Sequence, residues 1–493
     1  MPIGHNLYWL RRALGAIRRS SAVTLTTAVA LTASVALAAP VGVAAAHARS
    51  TRTGTRPPFP APEVTFAGHG AGAGWGLSQW GAFGYAAAGH KTYKWILAHF
   101  YPATKFENLS PAADRRVIAV MIGENSGRPI TVTSASIFTA RAASSTAQAK
   151  GSTAATYRAP AGSALMAVLS RSGPSKGTWS IRRAAGCSAP ADAWTPIARG
   201  LLDPVFSPAS MAPGAPPGDL LQLCRAGHKV VTYRGRIEAL DHDGAARTLS
   251  LVPLEQYVDD VVPSESPAGW GIFGKPGPQH ERWGFQELEA QAVAVRTYVL
   301  AEIAEGGFNG YADTCDDGCQ SYMAGTGDEN PLSTLASLDT AGQVLELDGA
   351  PAPTQYSPSS GGYTAGSSAF APVADGGDAV CLGGPNSLGC NPWHDWQASV
   401  PVGEIEHKLR AIGTLSSVRV VKRNGLGAGG GRVLAIEAIG TTGVTESLSG
   451  TQWAIDFGLA SDWFSVTKGL GGHVRARLDP TEATPGDGRL ALT

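Results

Sequence analysis

Two helical patterns set among strand-like runs constrain the fold of this chain most strongly. Apolar residues recur at helical spacing from Leu254 to Val262, and a second such pattern runs from about Trp283 to Ile303. Pro263-Ser264-Glu265 is predicted to break the first helix, because proline clashes with the preceding turn. Short apolar runs between Gly, Ser and Pro clusters predict strands on both sides. The predicted fold class is therefore α+β and loop-rich, with helices packed on antiparallel β-sheets and an additional β-rich region.

The chain opens with a pattern typical of an export signal. Residues 1–48 carry several arginines, then an uncharged apolar stretch, and end at Ala46-His47-Ala48, a small-residue cleavage site. The apolar stretch is also long enough to span a bilayer, so an uncleaved membrane anchor is the alternative. Either reading predicts a protein outside the cytoplasm. The remaining segments are predicted to be a linker (49–61), a Gly-rich loop and helix (62–106), a β-rich region (107–250), a central core (251–468) and a flexible tail (469–493).

The charge balance argues against polyanionic partners. The 493 residues include 39 basic and 39 acidic side chains, so the formal net charge is zero. Binding to nucleic acid draws most of its affinity from clustered Lys and Arg, and no nucleic-acid partner is predicted. With only 16% charged residues, the surface suits neutral glycan better than polyanion.

Six cysteines follow the export pattern, and an oxidising compartment favours disulfides. Proximity along the chain suggests the pairs Cys187–Cys224, Cys315–Cys319 and Cys381–Cys390. The alternative is a metal bound between Cys315 and Cys319, completed by Asp313 or a distant histidine. That spacing alone is weak evidence for a metal, so no metal and no cofactor is predicted.

Several separated motifs occur in a fixed order through the second half of the chain. Their order and spacing resemble the stage II sporulation protein D (SpoIID) family, also called the amidase-enhancer LytB family, across roughly 233–464; short motifs match by chance, but several in order rarely do. The motifs are Leu254-Glu255-Gln256-Tyr257, Val261-Val262-Pro263-Ser264-Glu265, Ala290 to Tyr298, Cys319-Gln320-Ser321-Tyr322, Thr340 to Leu345 and Tyr356 to Thr364.

The resemblance implies a lytic transglycosylase that cleaves the peptidoglycan bond between N-acetylmuramic acid and N-acetylglucosamine. The glutamate of the family's Pro-Ser-Glu motif falls on Glu265, which is then the catalytic acid and base. The resemblance also allows a wall-binding protein without activity that assists another wall hydrolase, such as an amidase. A metal-dependent hydrolase built on Cys315, Cys319 and histidines is a third hypothesis.

Without the resemblance, Glu265 reads as a helix-end carboxylate that pairs with Arg296 or a backbone amide, since a lone glutamate is rarely catalytic. The neighbouring carboxylates Asp259 and Asp260 precede the proline on what is predicted to be a solvent-facing side of the helix. They are interpreted as surface charges.

Further residues are predicted to contact the glycan. Arg296 and Tyr298 could hold sugar hydroxyls or acetamido groups. The alternative is an arginine at the edge of the core and a tyrosine on the apolar stripe, and for Tyr298 the core is favoured. Ser359 and Ser360 could present hydroxyls to the sugar, or build a tight turn that needs the same residues. Gln79 of the Gly-rich loop completes the predicted substrate-binding set.

The Gly-rich loop departs from the family pattern. It spans Gly72 to Ala82, before the Pro-Ser-Glu motif, whereas relatives place it after that motif. A circular permutation is therefore predicted, with the loop folding back beside the end of the domain. The family's histidine in this loop falls on Ala73, and His69 is the nearest imidazole. An insertion at about Gly271 to Arg282 is predicted to form a lid.

Overall fold

The computed structural model describes residues 62–144, 154–170, 177–277, 281–322 and 324–468. The predicted export signal, linker and tail lie outside these ranges. Within them the mixed α+β class is confirmed. In these same ranges no helix is both long and apolar enough to cross a membrane.

Helices and strands alternate irregularly along the described ranges. The α-helices are α1 (Gln79–Ala87), α2 (Tyr93–Phe100), α3 (Pro111–Asp114), α4 (Leu254–Glu265), α5 (Phe285–Ala304), α6 (Pro331–Asp339), α7 (Val402–Lys408) and α8 (Gly450–Phe457). The strands are β1 (Glu63–His69), β2 (Leu77–Ser78), β3 (Lys105–Asn108), β4 (Val117–Met121), β5 (Ile130–Thr133), β6 (Phe138–Ser144), β7 (Ala155–Ala159), β8 (Ala164–Ser170), β9 (Thr178–Ala184), β10 (Thr195–Ser207), β11 (Leu221–Cys224), β12 (Val230–Tyr233), β13 (Arg236–His242), β14 (Ala245–Pro253), β15 (Thr314–Cys315), β16 (Gln343–Leu347), β17 (Ala350–Pro351), β18 (Tyr356–Ser357), β19 (Cys381–Leu382), β20 (Gly389–Cys390), β21 (Asp395–Pro401), β22 (Leu415–Arg423), β23 (Val433–Gly440), β24 (Thr445–Leu448) and β25 (Phe464–Lys468).

A 12-stranded sheet forms the frame of the larger part of the molecule. Its main path runs β12-β11-β5-β8-β9-β10-β13-β14-β4-β15, and β6 and β7 join it at β10. The pairs are antiparallel except β15 with β4, which is parallel. The apolar stripes of α4 and α5 join this sheet in one continuous hydrophobic core, and α1 and α2 pack on α5.

The first predicted helix is longer than its sequence suggests. Proline does not break α4, which continues through Pro263 to Glu265. The last turn keeps its hydrogen bonds, because the Ser266 amide donates to the Val262 carbonyl at 2.8 Å. The Ser264 hydroxyl donates to the Asp260 carbonyl at 3.1 Å. The missing N–H of one proline near a helix end is therefore tolerated, since neighbouring donors satisfy the last carbonyls.

A second hydrophobic core joins the two ends of the described chain. Strand β1 lies between β21 and β25 in a three-stranded antiparallel sheet, so Val64 pairs with Val400 and Gly68 with Phe464. Phe66 and Trp453 lie at the centre of this core. The Gly-rich loop that follows β1 therefore begins beside the C-terminal strand. The circular permutation relative to other proteins stays a prediction.

The three predicted cysteine pairs are confirmed as disulfides. Their Cα–Cα separations are 5.8 Å for Cys187–Cys224, 5.2 Å for Cys315–Cys319 and 3.7 Å for Cys381–Cys390. Because Cys315 and Cys319 are bonded to each other, neither offers a thiolate to a metal. The described ranges also hold no cluster of His, Cys, Asp and Glu suited to a metal ion.

Candidate active site

Glu265 is the last residue of α4, and two separate segments hold it. The backbone amide of Ser321 donates to its Oε1 atom at 2.7 Å. The Gln79 side chain, at the start of α1, donates through Nε2 to the Glu265 backbone carbonyl at 3.1 Å. The Glu265 side chain is neither buried nor fully exposed. The carboxyl group is thus oriented by a backbone donor while part of the side chain remains open to solvent.

Aromatic side chains cluster on the segments that follow Gln79 and Glu265 in the chain. A short 3-10 turn, Ala268–Ile272, brings Trp270 inside, with its ring 4.7 Å from Trp80 and 4.7 Å from Phe83 between centroids. Trp80 follows Gln79 directly and is only half-buried, whereas Trp270 is almost fully buried. Trp80 therefore presents an aromatic surface backed by two further rings.

Arg296 lies inside the helix pair. Its guanidinium forms a two-pronged ion pair with Glu255, at 2.7 and 2.6 Å, and also reaches the carbonyls of Gln343 and Ser337 at 3.2 and 3.3 Å. No part of Arg296 is exposed. Its carboxylate partner is thus Glu255 and not Glu265. This arrangement ties α4 to α5 and to the start of β16.

Tyr298, also predicted to line the groove, lies at the core side of α5. Only 4% of it is exposed, and its hydroxyl donates to Glu302 at 3.2 Å within the same helix. The alternative core role is the one that its surroundings favour.

The interpretation of Asp259 and Asp260 as surface charges is wrong. Asp259 is largely buried and Asp260 completely so, because the turn at Gly325–Asp328 and helix α6 pack on the side of α4 that its polar pattern assigned to solvent. Burial raises the pKa of Asp259 to about 7. Burial, followed by a hydrogen bond with Glu329, raises the pKa of Asp260 well above its usual value. Glu329 is in turn held by the Arg234 guanidinium.

Ser359 and Ser360 are brought together with buried carboxylates. Both serines are fully buried. The Ser359 hydroxyl donates to Asp378 at 2.8 Å, and the Ser360 hydroxyl donates to Asp375 at 2.7 Å. Their hydroxyls therefore stabilise the turn between β18 and the following loop, which agrees with the turn interpretation. Burial, with the charge of Asp378 second, raises the pKa of Asp375 to about 7.

The sequence analysis did not identify Asp378 and His394 as candidate site residues. His394 Nδ1 lies 2.8 Å from the fully buried Asp378, and 31% of the imidazole side chain is exposed. The hydrogen bond to Asp378 is the main cause that raises the pKa of His394. Sixteen residues separate the two, so no helical or strand periodicity could have signalled the pair.

The Gly-rich loop is shaped by close backbone approach. Gly76 has φ +61°, and a Cβ there would lie 1.8 Å from the Gln355 carbonyl oxygen. Ala73, where relatives carry histidine, is 8% exposed. His69 Nδ1 instead pairs with Asp395 at 2.7 Å, and the His69 ring lies 6.4 Å from that of His394 between centroids. His69 thus lies beside Asp395 and His394.

The predicted lid between Gly271 and Arg282 is partly described, because residues 278–280 lie outside the described ranges. Arg282 donates to the Gly274 carbonyl at 2.8 Å and bridges to Pro276, which closes a narrow hairpin. Trp270 Nε1 donates to the Leu388 carbonyl at 3.0 Å, so the base of this segment contacts the loop of the Cys381–Cys390 disulfide. A lid function stays a prediction.

Comparison with known families identifies the central segment. Residues 242–346 match the model of the SpoIID family, described as stage II sporulation protein, and the match indicates a protein with a cell-wall-related role in sporulation. This segment is a SpoIID domain, and the resemblance inferred from its motifs is confirmed. The match includes α4, α5 and Glu265, but not the Gly-rich loop or the turn at Ser359. No curated protein and no solved structure matches the chain.

Proposed function

We propose that this protein is a peptidoglycan lytic transglycosylase, working outside the cytoplasm, with Glu265 as its acid and base. The observation that carries the proposal is the partly open Glu265 carboxyl group at the end of α4, oriented by the Ser321 amide. The SpoIID match supports a cell-wall substrate. No nucleic-acid partner is proposed, since the chain has no net charge.

The reaction needs one carboxyl group, which acts first as an acid and then as a base. Glu265 first gives its proton to the glycosidic oxygen as the bond from C1 of N-acetylmuramic acid breaks. The resulting carboxylate then takes the proton of the same sugar's C6 hydroxyl, and O6 closes onto C1 as a 1,6-anhydro ring. No water is consumed, so a second carboxylate to activate water is unnecessary. The Ser321 N–H stabilises the carboxylate form between the two steps.

We assign supporting roles to Gln79 and Trp80. Gln79 is almost fully buried and fixes the end of α4 through the Glu265 carbonyl, so we assign it a positioning role. Trp80, the residue after Gln79, offers a half-buried aromatic face, and sugar rings have apolar faces that pack on such surfaces. Ser359 and Ser360 act by shaping the turn against which the Gly-rich loop packs.

Glu265→Gln tests the enzyme directly, because glutamine keeps the shape and cannot donate a carboxyl proton. We expect release of 1,6-anhydro products from purified sacculi to fall at least a hundredfold, measured by mass spectrometry. Binding to sacculi should persist. Glu305→Gln, at an exposed position just after α5, is the matched control and should keep full activity. Undiminished anhydro product from Glu265→Gln would contradict the proposal.

The second candidate is a wall-binding protein that stimulates another hydrolase, such as an amidase. Ala73 favours it, because its methyl group cannot hydrogen-bond where relatives carry an imidazole. Stimulation of an amidase on sacculi separates the two candidates. Stimulation that survives Glu265→Gln, without anhydro products from the wild-type chain, supports this second function.

A further inference from the structure

Asp378 is the centre of a second polar site, distinct from Glu265. Its carboxylate accepts hydrogen bonds from Ser78 Oγ (3.1 Å), Ser359 Oγ (2.8 Å), the amides of Ser360 (2.9 Å) and Gly361 (3.1 Å), and His394 Nδ1 (2.8 Å). Such convergence fixes the position of a buried carboxylate. Ordinary turn formation does not require an imidazole among these donors.

The fixed carboxylate determines how His394 faces solvent. Because Nδ1–H is directed to Asp378, the imidazole presents its opposite edge outward, and 31% of the side chain is exposed. Among the described residues, Nε2 of His394 has no hydrogen-bond partner. The pair therefore holds one imidazole nitrogen at the surface in a set orientation.

Acidic side chains surround His394. It lies against Asp378, and Asp395 and Asp375 are also close enough to act on it electrostatically. Arg432 is paired with Asp462 at 2.5 Å. These carboxyl groups disfavour an anionic ligand. The His69 ring also packs on Trp463, with centroids 5.3 Å apart. Oriented polar groups beside ring surfaces suit a neutral ligand that has both hydroxyls and apolar faces.

Two consecutive residues connect this site to Glu265. The Ser78 side chain donates to Asp378, and the Gln79 side chain donates to the Glu265 carbonyl. Strand β2, which ends at Ser78, pairs in parallel with β18 just before Ser359. The two sites thus share one support, the end of β2 and the start of α1.

We propose that His394, oriented by Asp378, is a second sugar-contacting residue, whose Nε2 hydrogen-bonds a hydroxyl or acetamido oxygen of an N-acetylated glycan away from the bond that Glu265 cleaves. This inference rests on the proposed glycan substrate and extends it to a further binding position. It also gives the Ser78–Asp378–Ser359 network a function, which is to hold the imidazole.

The test uses the full chain carrying Glu265→Gln, so that the ligand is bound but not cleaved. Its affinity for a soluble tetramer of N-acetylglucosamine is measured by calorimetry. Adding His394→Gln should weaken binding about tenfold, the effect of losing one hydrogen bond to an imidazole. Adding His407→Gln instead, which changes an exposed histidine on α7, should leave the affinity unchanged.

Nitrogen NMR of histidine-labelled chain provides a readout that does not depend on a folded variant. The His394 Nε2 resonance should shift when the tetramer is added, and the His407 resonance should not. No binding by the parent chain, or equal affinity with and without His394→Gln and an unmoved resonance, overturns the inference. Failure of the transglycosylase proposal would be distinguishable, because anhydro products would be absent while the His394-dependent binding remained.

Discussion

Replacing Glu287 with glutamine should make the protein more stable at neutral pH. Glu287 lies in the first turn of α5 and is completely buried, and its Oε1 accepts the Ser266 hydroxyl at 2.7 Å. Burial raises its pKa from 4.5 to about 8. Glutamine keeps the acceptor for Ser266 and the side-chain volume but has no charge to desolvate.

The direction and size of the expected change in stability follow from the number of protons that the folded and unfolded states bind. Below about pH 4.5 both folded and unfolded chains hold the Glu287 proton, and the carboxyl group contributes no pH dependence. Between pH 4.5 and 8 the unfolded state releases that proton while the folded state retains it, so stability falls by about 1.4 kcal/mol per pH unit. Above pH 8 both states are ionised and the loss ends. The full loss is about 3–5 kcal/mol.

Denaturant unfolding at pH 5 and pH 7.5 measures the effect. We expect Glu287→Gln to match the wild-type chain within about 1 kcal/mol at pH 5 and to exceed it by about 2–4 kcal/mol at pH 7.5. Glu404→Gln, at an exposed position on α7, should show no such pH-dependent gain. Equal pH slopes for the Glu287 variant and the wild-type chain would refute the reasoning.

Three further substitutions test how the site is supported. Gly76→Ala should cost at least about 3 kcal/mol of folding stability, whereas Gly127→Ala, with φ +75° and nothing within 4 Å, should cost only about 1 kcal/mol; chemical denaturation compares them. Removing the Cys187–Cys224 disulfide, which closes a 37-residue separation, should lower the free energy of unfolding by about 4 kcal/mol, measured against the oxidised wild-type chain. Arg296→Met should cost about 2–4 kcal/mol by leaving the partly buried Glu255 carboxylate unpaired, and thermal unfolding should show recovery when Glu255 is also replaced by leucine.

Much of the fold could be predicted from local sequence patterns. The apolar stripe that predicted the second helix from about Trp283 to Ile303 corresponds to Phe285–Ala304, because helical periodicity is set by residues three and four apart. The disulfides could also be predicted locally, since each cysteine bonds to the next cysteine along the chain. Motif order was enough to identify the SpoIID segment.

The features that could not be predicted depend on contacts between residues far apart in the sequence. Asp260 could be placed on a polar helix side, but not beneath the loop that holds Glu329, because periodicity does not reveal what covers a helix. Arg296 could be placed off the apolar stripe, but its partner Glu255 lies 41 residues away. His394 and Asp378 belong to loops without any period. Sequence therefore indicated Glu265, while the packing around it depended on tertiary structure.

The pairing of β1 with β21 and β25 affects when the site can form during synthesis. Strand β1 has no sheet partner until residues 395–401 and 464–468 have been made. The Gly-rich loop follows β1 directly and carries Gln79, which secures the end of the Glu265 helix. A chain emerging from N-terminus to C-terminus therefore completes this support only after strand β25 has been made. Chains that stop before β25 are expected to hold Glu265 loosely.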